Sequence, residues 1–178
     1  MSYLLVPLGI FILLIVLIDI FKTILYINGG GRLSSFTARK IWWVYFKLAR
    51  GNGRSPILNF AGGTILMGLV GMWIFLIWTG YSLIYLSDPG SVVDSATGQN
   101  ADIIGNIYYV GYTLTSLGNG DFQSGSDIWR IVSNIMGVNS MIFISLVISY
   151  LLPVLQAVVD KRTLAVYIYQ LGKTPEEI

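Results

Sequence analysis

Between Thr113 and Asp121 the chain reads Thr-Leu-Thr-Ser-Leu-Gly-Asn-Gly-Asp, and its most telling chemistry lies here. Thr115 and Ser116 offer hydroxyl oxygens, Ser116 to Asn119 offer consecutive carbonyls, and Asp121 follows with a carboxylate. For neighbouring carbonyls to face one axis, alternate residues must leave the ordinary dihedral regions, which Gly118 and Gly120 do at little cost. No cationic side chain lies in the stretch. A lining made only of oxygens suits a cation, with the carbonyls of Ser116, Leu117, Gly118 and Asn119 as the candidate ligands. Asn119-Gly120 alone also fits a type I′ hairpin turn, so the flanking elements have to decide.

Those elements are apolar. Hydrophobic residues make up 54% of the 178 and charged residues 11%, against about 25% charged in soluble domains. Cysteine and histidine are absent, which removes disulfides, thiol nucleophiles and the usual general base. No catalytic residue and no cofactor is expected. Three uncharged runs, Met1 to Ile18 with its continuation to Tyr26, Ser55 to Ser87, and Ile131 to Val159, are each long enough to cross a bilayer. Asp102 can cap a short helix from Ile103 to about Leu114. At about 1.5 Å per residue it enters a membrane without crossing it. Non-helical backbone follows at once, and such backbone is tolerated at membrane depth only when buried in protein or lining a wet path. The end of a re-entrant helix that faces inward is its negative pole, which favours a cation.

The fold class expected is an all-α membrane protein with three transmembrane helices, an interfacial amphipathic helix, and a re-entrant pore helix with an extended loop. Residues 1–27 form the first span. Residues 28–56 are a linker with the aromatic and basic segment Phe36 to Gly51, capped by Ser34 or Ser35, whose cations suit anionic lipid headgroups. Residues 57–159 are the module that carries the loop, and 160–178 begin a tail. Asp19 and Lys22 can face each other at i,i+3. An intramembrane carboxylate is a functional candidate, and a structural ion pair with Lys22 or a following arginine is the simpler reading. The segment from Asn28 to Pro56 carries six Lys/Arg and no acid, whereas Asp88 to Arg130 carries five Asp and one Arg. The positive-inside rule then puts the N-terminus outside and the C-terminus in the cytoplasm, across the plasma membrane. Thr174-Pro175-Glu176-Glu177 is a helix-start pattern, so a further cytoplasmic and regulatory segment is expected after Ile178.

Thr113, Thr115, Leu117, Gly118, Gly120 and Asp121 match the pore signature T-x-T-T-V/I/L-G-Y-G-D, and the stretch resembles the tetrameric potassium-channel superfamily. The order of helix, short helix, loop and helix from about Leu58 to Val159 is similar to its two-helix pore module. The first span, outside that module, resembles an arrangement in some bacterial channel-like proteins. The resemblance implies a homotetramer around a selectivity filter made of Thr115, Ser116, Leu117, Gly118, Asn119 and Gly120, with Asp121 at the outer mouth. Potassium would be the permeant ion, with sodium as the alternative. The third span would line the inner cavity with Ser145, Ser149, Leu152 and Gln156, and Gly137 and Pro153 are gate candidates. Two positions depart from the signature. Ser116 replaces threonine, and Asn119 replaces the aromatic residue, so its amide hydrogen-bonds behind the filter or faces the vestibule. Rival readings are a weakly selective cation channel of the same architecture and a non-conducting membrane anchor or sensor.

Overall fold

The computed structural model describes residues 4–25, 30–53 and 55–170. The helix-start pattern after Thr174 lies outside them. Among the described residues, three helices are long and apolar enough to cross a membrane. They are α1 (Leu5–Leu25), α3 (Ala61–Tyr85, entered through a 3-10 turn at Pro56–Phe60) and α5 (Asp127–Gln170). Between α1 and α3 lies α2 (Arg32–Leu48), and between α3 and α5 lie β1 (Val92–Asp94), α4 (Ile103–Leu114) and β2 (Phe122–Ser124). Pro7 falls in the first turn of α1, where a missing N–H costs least. The chain divides into two compact units, Met1–Ile142 and Phe143–Ile178.

In the first unit, α1 and α2 both run antiparallel to α3. Gly9 of α1 lies against Gly80 and Ile84, and Gly80 in turn lies against Leu13; a side chain at either glycine would collide with the facing helix. Along α2, Thr37 Oγ1 reaches Met72 Sδ (3.0 Å) and the Tyr45 and Thr64 hydroxyls meet at 2.7 Å. Midway between them Ile41 fills the space above Gly68. Each advance of four residues on α2 is answered by four on α3, as antiparallel ridges require. The expected aromatic and basic helix therefore exists, and it lies lengthwise along α3.

Asp19 holds this arrangement together. It is buried within α1, and its carboxyl oxygens accept from Leu33 N (2.8 Å), Ser34 N (3.1 Å), the Ser34 hydroxyl and Trp73 Nε1 (3.1 Å). Two of these donors are free N–H groups of the first turn of α2. The ion pair expected for Asp19 is replaced by this cap; the ion pair found among the described residues joins Arg130 to Asp127 at 2.9 Å on the surface. The expected caps are corrected too. The N-cap residue is Gly31, which has no side chain to offer, and Ser34 lies inside the helix as a donor to Asp19. A Cβ on Gly31 would collide with the Asp19 carboxyl, so the glycine admits the cap from another helix.

A two-stranded antiparallel ribbon adds to the helical plan. Val92, Val93 and Asp94 pair with Ser124, Gln123 and Phe122. Ser95 N donates to Asp121 O (2.9 Å) and Gly125 N to Ser91 O (2.9 Å), extending the clasp at both ends. In the loop beyond β1, the backbone N–H and hydroxyl of Thr97 hold the Asp94 carboxyl below the usual carboxylate range.

In the second unit α5 continues as helix through Pro153 to Gln170. Replacing Asp19 by alanine leaves the Leu33, Ser34 and Trp73 donors without an acceptor in an apolar setting. We expect a loss of about 3 kcal/mol or more, read as a lower unfolding temperature in detergent. Trp73→Phe, which removes one donor and keeps most of the ring volume, should cost about 1 kcal/mol.

Candidate functional site

The helix α4 begins as the sequence predicts, with Asp102 Oδ1 accepting from Gly105 N at 2.7 Å. Its far end is closed by a Schellman pair. Leu117 N donates to Tyr112 O (3.0 Å) and Ser116 N to Thr113 O (3.1 Å), around Thr115 as C-cap. This motif requires a left-handed residue just past the cap, and Ser116 supplies it with φ +57°. Gly118 (φ +59°) and Gly120 (φ +82°) follow in the same region. Left-handed residues therefore alternate with Leu117 and Asn119. Backbone of this alternating kind can turn successive peptide groups toward one side.

The loop is exposed from Thr115 to Asp121, and the space around Gly118 and Gly120 is open. The Thr115 hydroxyl turns back to its own helix, toward Gly111 O (3.2 Å) and Tyr112 O (3.1 Å). Ser140 of α5 donates its hydroxyl to Leu114 O, the last carbonyl of α4. Asp121 is exposed, and its backbone carbonyl is held by the ribbon extension at Ser95.

The Asn119 Nδ2 donates to the Tyr108 hydroxyl on α4 at 2.6 Å. The Tyr108 ring is edge-on to Tyr112 (5.2 Å between centroids) and to Phe122 (6.1 Å). Tyr112 in turn donates to Phe122 O at 2.6 Å. Deeper in, the hydroxyls of Tyr85, Tyr109, Ser124 and Ser133 meet at 2.7–2.8 Å, and Ser133 also donates to Trp129 O at 2.9 Å. Tyr85 packs on Trp129 (4.8 Å), whose Nε1 donates to Asp88 at 2.8 Å. This network joins α3, α4, β2 and α5.

Sequence reasoning missed Tyr108, Tyr109, Tyr112 and Ser133. Their signal was there: three tyrosines in a short apolar helix carry hydroxyls that need partners away from water. The proposed inner-cavity residues lie in the second unit. Ser145, Ser149, Leu152, Pro153 and Gln156 are exposed there, and the Ser149 hydroxyl bonds to Ser145 O one turn back (2.9 Å). Gly137, in the first unit, has open space where a side chain would go.

Residues 68–157, half of the chain, match the family described as "Ion channel", and the chain belongs to that family. The match takes in most of α3, all of α4 and the loop, and much of α5. Over 171 residues, 96% of this chain, it is 31% identical to the uncharacterized membrane protein YdjJ of Bacillus subtilis (strain 168). The chain spans 50% of that relative's length. No solved structure matches.

Two substitutions probe the loop. Ser116→Gly relieves the left-handed strain of a non-glycine residue and should raise stability by about 1 kcal/mol, seen as a higher melting temperature. Tyr108→Phe keeps the ring and removes the acceptor for Asn119, at a cost of about 1 kcal/mol in the same measurement.

Proposed function

We propose that the chain forms the pore of a homotetrameric cation channel that conducts potassium through backbone carbonyls. The observation that carries this reading is the alternation of left-handed backbone at Ser116, Gly118 and Gly120, directly after a capped helix too short to cross a membrane. One exposed strand of carbonyls cannot surround an ion, so closed symmetry among copies is needed, and four is the number that the pore signature implies. Ions shed water near Asp121, pass Asn119, Gly118, Leu117 and Ser116 in single file, and rehydrate in a cavity lined by the third span. There Ser145, Ser149, Leu152 and Gln156 form the lining, with Gly137 and Pro153 at the gate. Thr115 sits at the inner end of the filter. The chain acts as a conduit rather than a catalyst, and ions are its permeants.

Carbonyl spacing must be held against collapse or widening, and the tie between Asn119 and Tyr108 supplies a lateral restraint. The plasma membrane is the proposed location, with the N-terminus outside and α2 on the cytoplasmic side against anionic lipid.

A second reading is favoured by Asn119 itself. An amide is smaller than the aromatic ring of the pore signature, and a slacker filter passes sodium and potassium alike.

Purified protein in liposomes should pass potassium, and a sodium/potassium gradient should bring the reversal potential close to the potassium equilibrium value. Absence of any cation flux from intact tetramers with an open gate would sink the channel reading. A reversal potential near zero would select the weakly selective one. In the selective case, Tyr108→Phe should move the reversal potential toward zero.

A further inference from the structure

The basic face of α2 has a defined depth. About 20 residues of α3, counted inward from Tyr85, fill a hydrocarbon core of about 30 Å, so the inner edge falls near Leu66. Ile41 meets α3 at Gly68, which puts Arg39 and Lys40 at or just inside that edge. Both side chains are on the exposed face of α2, with Phe36 and Trp43. These four residues line a recess of about 370 Å³. The Lys40 ammonium lies 5.4 Å over the Phe36 ring, and Lys47 lies 5.1 Å over Trp43. Among the described residues no carboxylate pairs with Arg39 or Lys40.

Two cations at a hydrocarbon edge call for a mobile anion, and phospholipid phosphates are the anions of that layer. The two rings give the recess an apolar wall that suits the start of an acyl chain, which a free phosphate lacks. We infer that Arg39, Lys40, Phe36 and Trp43 form a discrete site for one anionic phospholipid per chain. The inference rests on the proposed contact of α2 with anionic lipid and goes beyond it in assigning the residues and the stoichiometry. It does not depend on conduction.

The test is native mass spectrometry of the purified protein in detergent, titrated with phosphatidylglycerol or phosphatidylcholine. The wild type should retain one phosphatidylglycerol per chain in preference to phosphatidylcholine. Arg39→Gln with Lys40→Gln should weaken that binding about thirtyfold, each basic residue near a lipid phosphate contributing about 1 kcal/mol. Arg32→Gln with Arg50→Gln removes equal charge outside the recess and should leave the affinity within about twofold. Arg39→Lys with Lys40→Arg should restore binding, which separates charge loss from misfolding. Equal weakening in both glutamine pairs would mean diffuse attraction and overturn the site, and so would no change in either. Displacement by inorganic phosphate would make the ligand a free anion and overturn the lipid assignment. If the wild type shows no preference for phosphatidylglycerol, the lipid contact itself fails.

Discussion

The first turn of a helix leaves N–H groups without partners in the helix, and α2 gives two of them to the buried Asp19. That exchange sets the layout of the first unit. Asp19 meets α3 at Trp73, about 18 Å along the axis from Tyr85 at 1.5 Å per residue, so the carboxyl group lies deep in the span. Carried on α1, its oxygens accept from two other helices, the start of α2 through Leu33 and Ser34 and the middle of α3 through Trp73. The side-chain contacts farther along α2, at Thr37, Ile41 and Tyr45, follow from where that first turn is fixed. A buried polar group is costly when unpartnered and specific when satisfied, and Asp19 is of the second kind.

The same requirement shapes the loop after α4. The carbonyls of Tyr112 and Thr113 are closed by the N–H groups of Leu117 and Ser116, and that of Leu114 by the Ser140 hydroxyl. With the helix end satisfied internally, the backbone from Ser116 onward is free to adopt the alternating form. The left-handed turn at Ser116 belongs to the helix terminus and is also the first residue of the alternation, so one conformation serves both. Beside it, Asn119 is tied back to α4. Tyr108 presents the ring and Asn119 contributes only the donor.

Much of this was legible in the sequence because it depends on local rules. Uncharged runs of sufficient length marked the three long helices. Asp102 three residues before Gly105 marked the start of α4, and the glycines at 118 and 120 marked the alternation. What stayed hidden depends on long-range partners. The Asp19 cap links residues that sit far apart in sequence, and local spacing offered Lys22 and the Ser34 or Ser35 caps instead. Glycine at position 31 reads as a helix breaker until its lack of a side chain is seen to admit a carboxyl group from another helix. The hydroxyl cluster of Tyr85, Tyr109, Ser124 and Ser133 draws on four elements, so no window of sequence displays it. Asn119 could be read as facing either way because its partner, Tyr108, sits on the preceding helix.

The ribbon between β1 and β2 has a consequence for how this segment closes. It fastens the chain to itself on either side of α4 and the loop, with Ser95 bonded to Asp121 and Ser91 to Gly125. The entropy of closing that loop is met within one chain, and it grows only slowly with loop length. A single copy therefore completes the backbone bonding of this segment by itself.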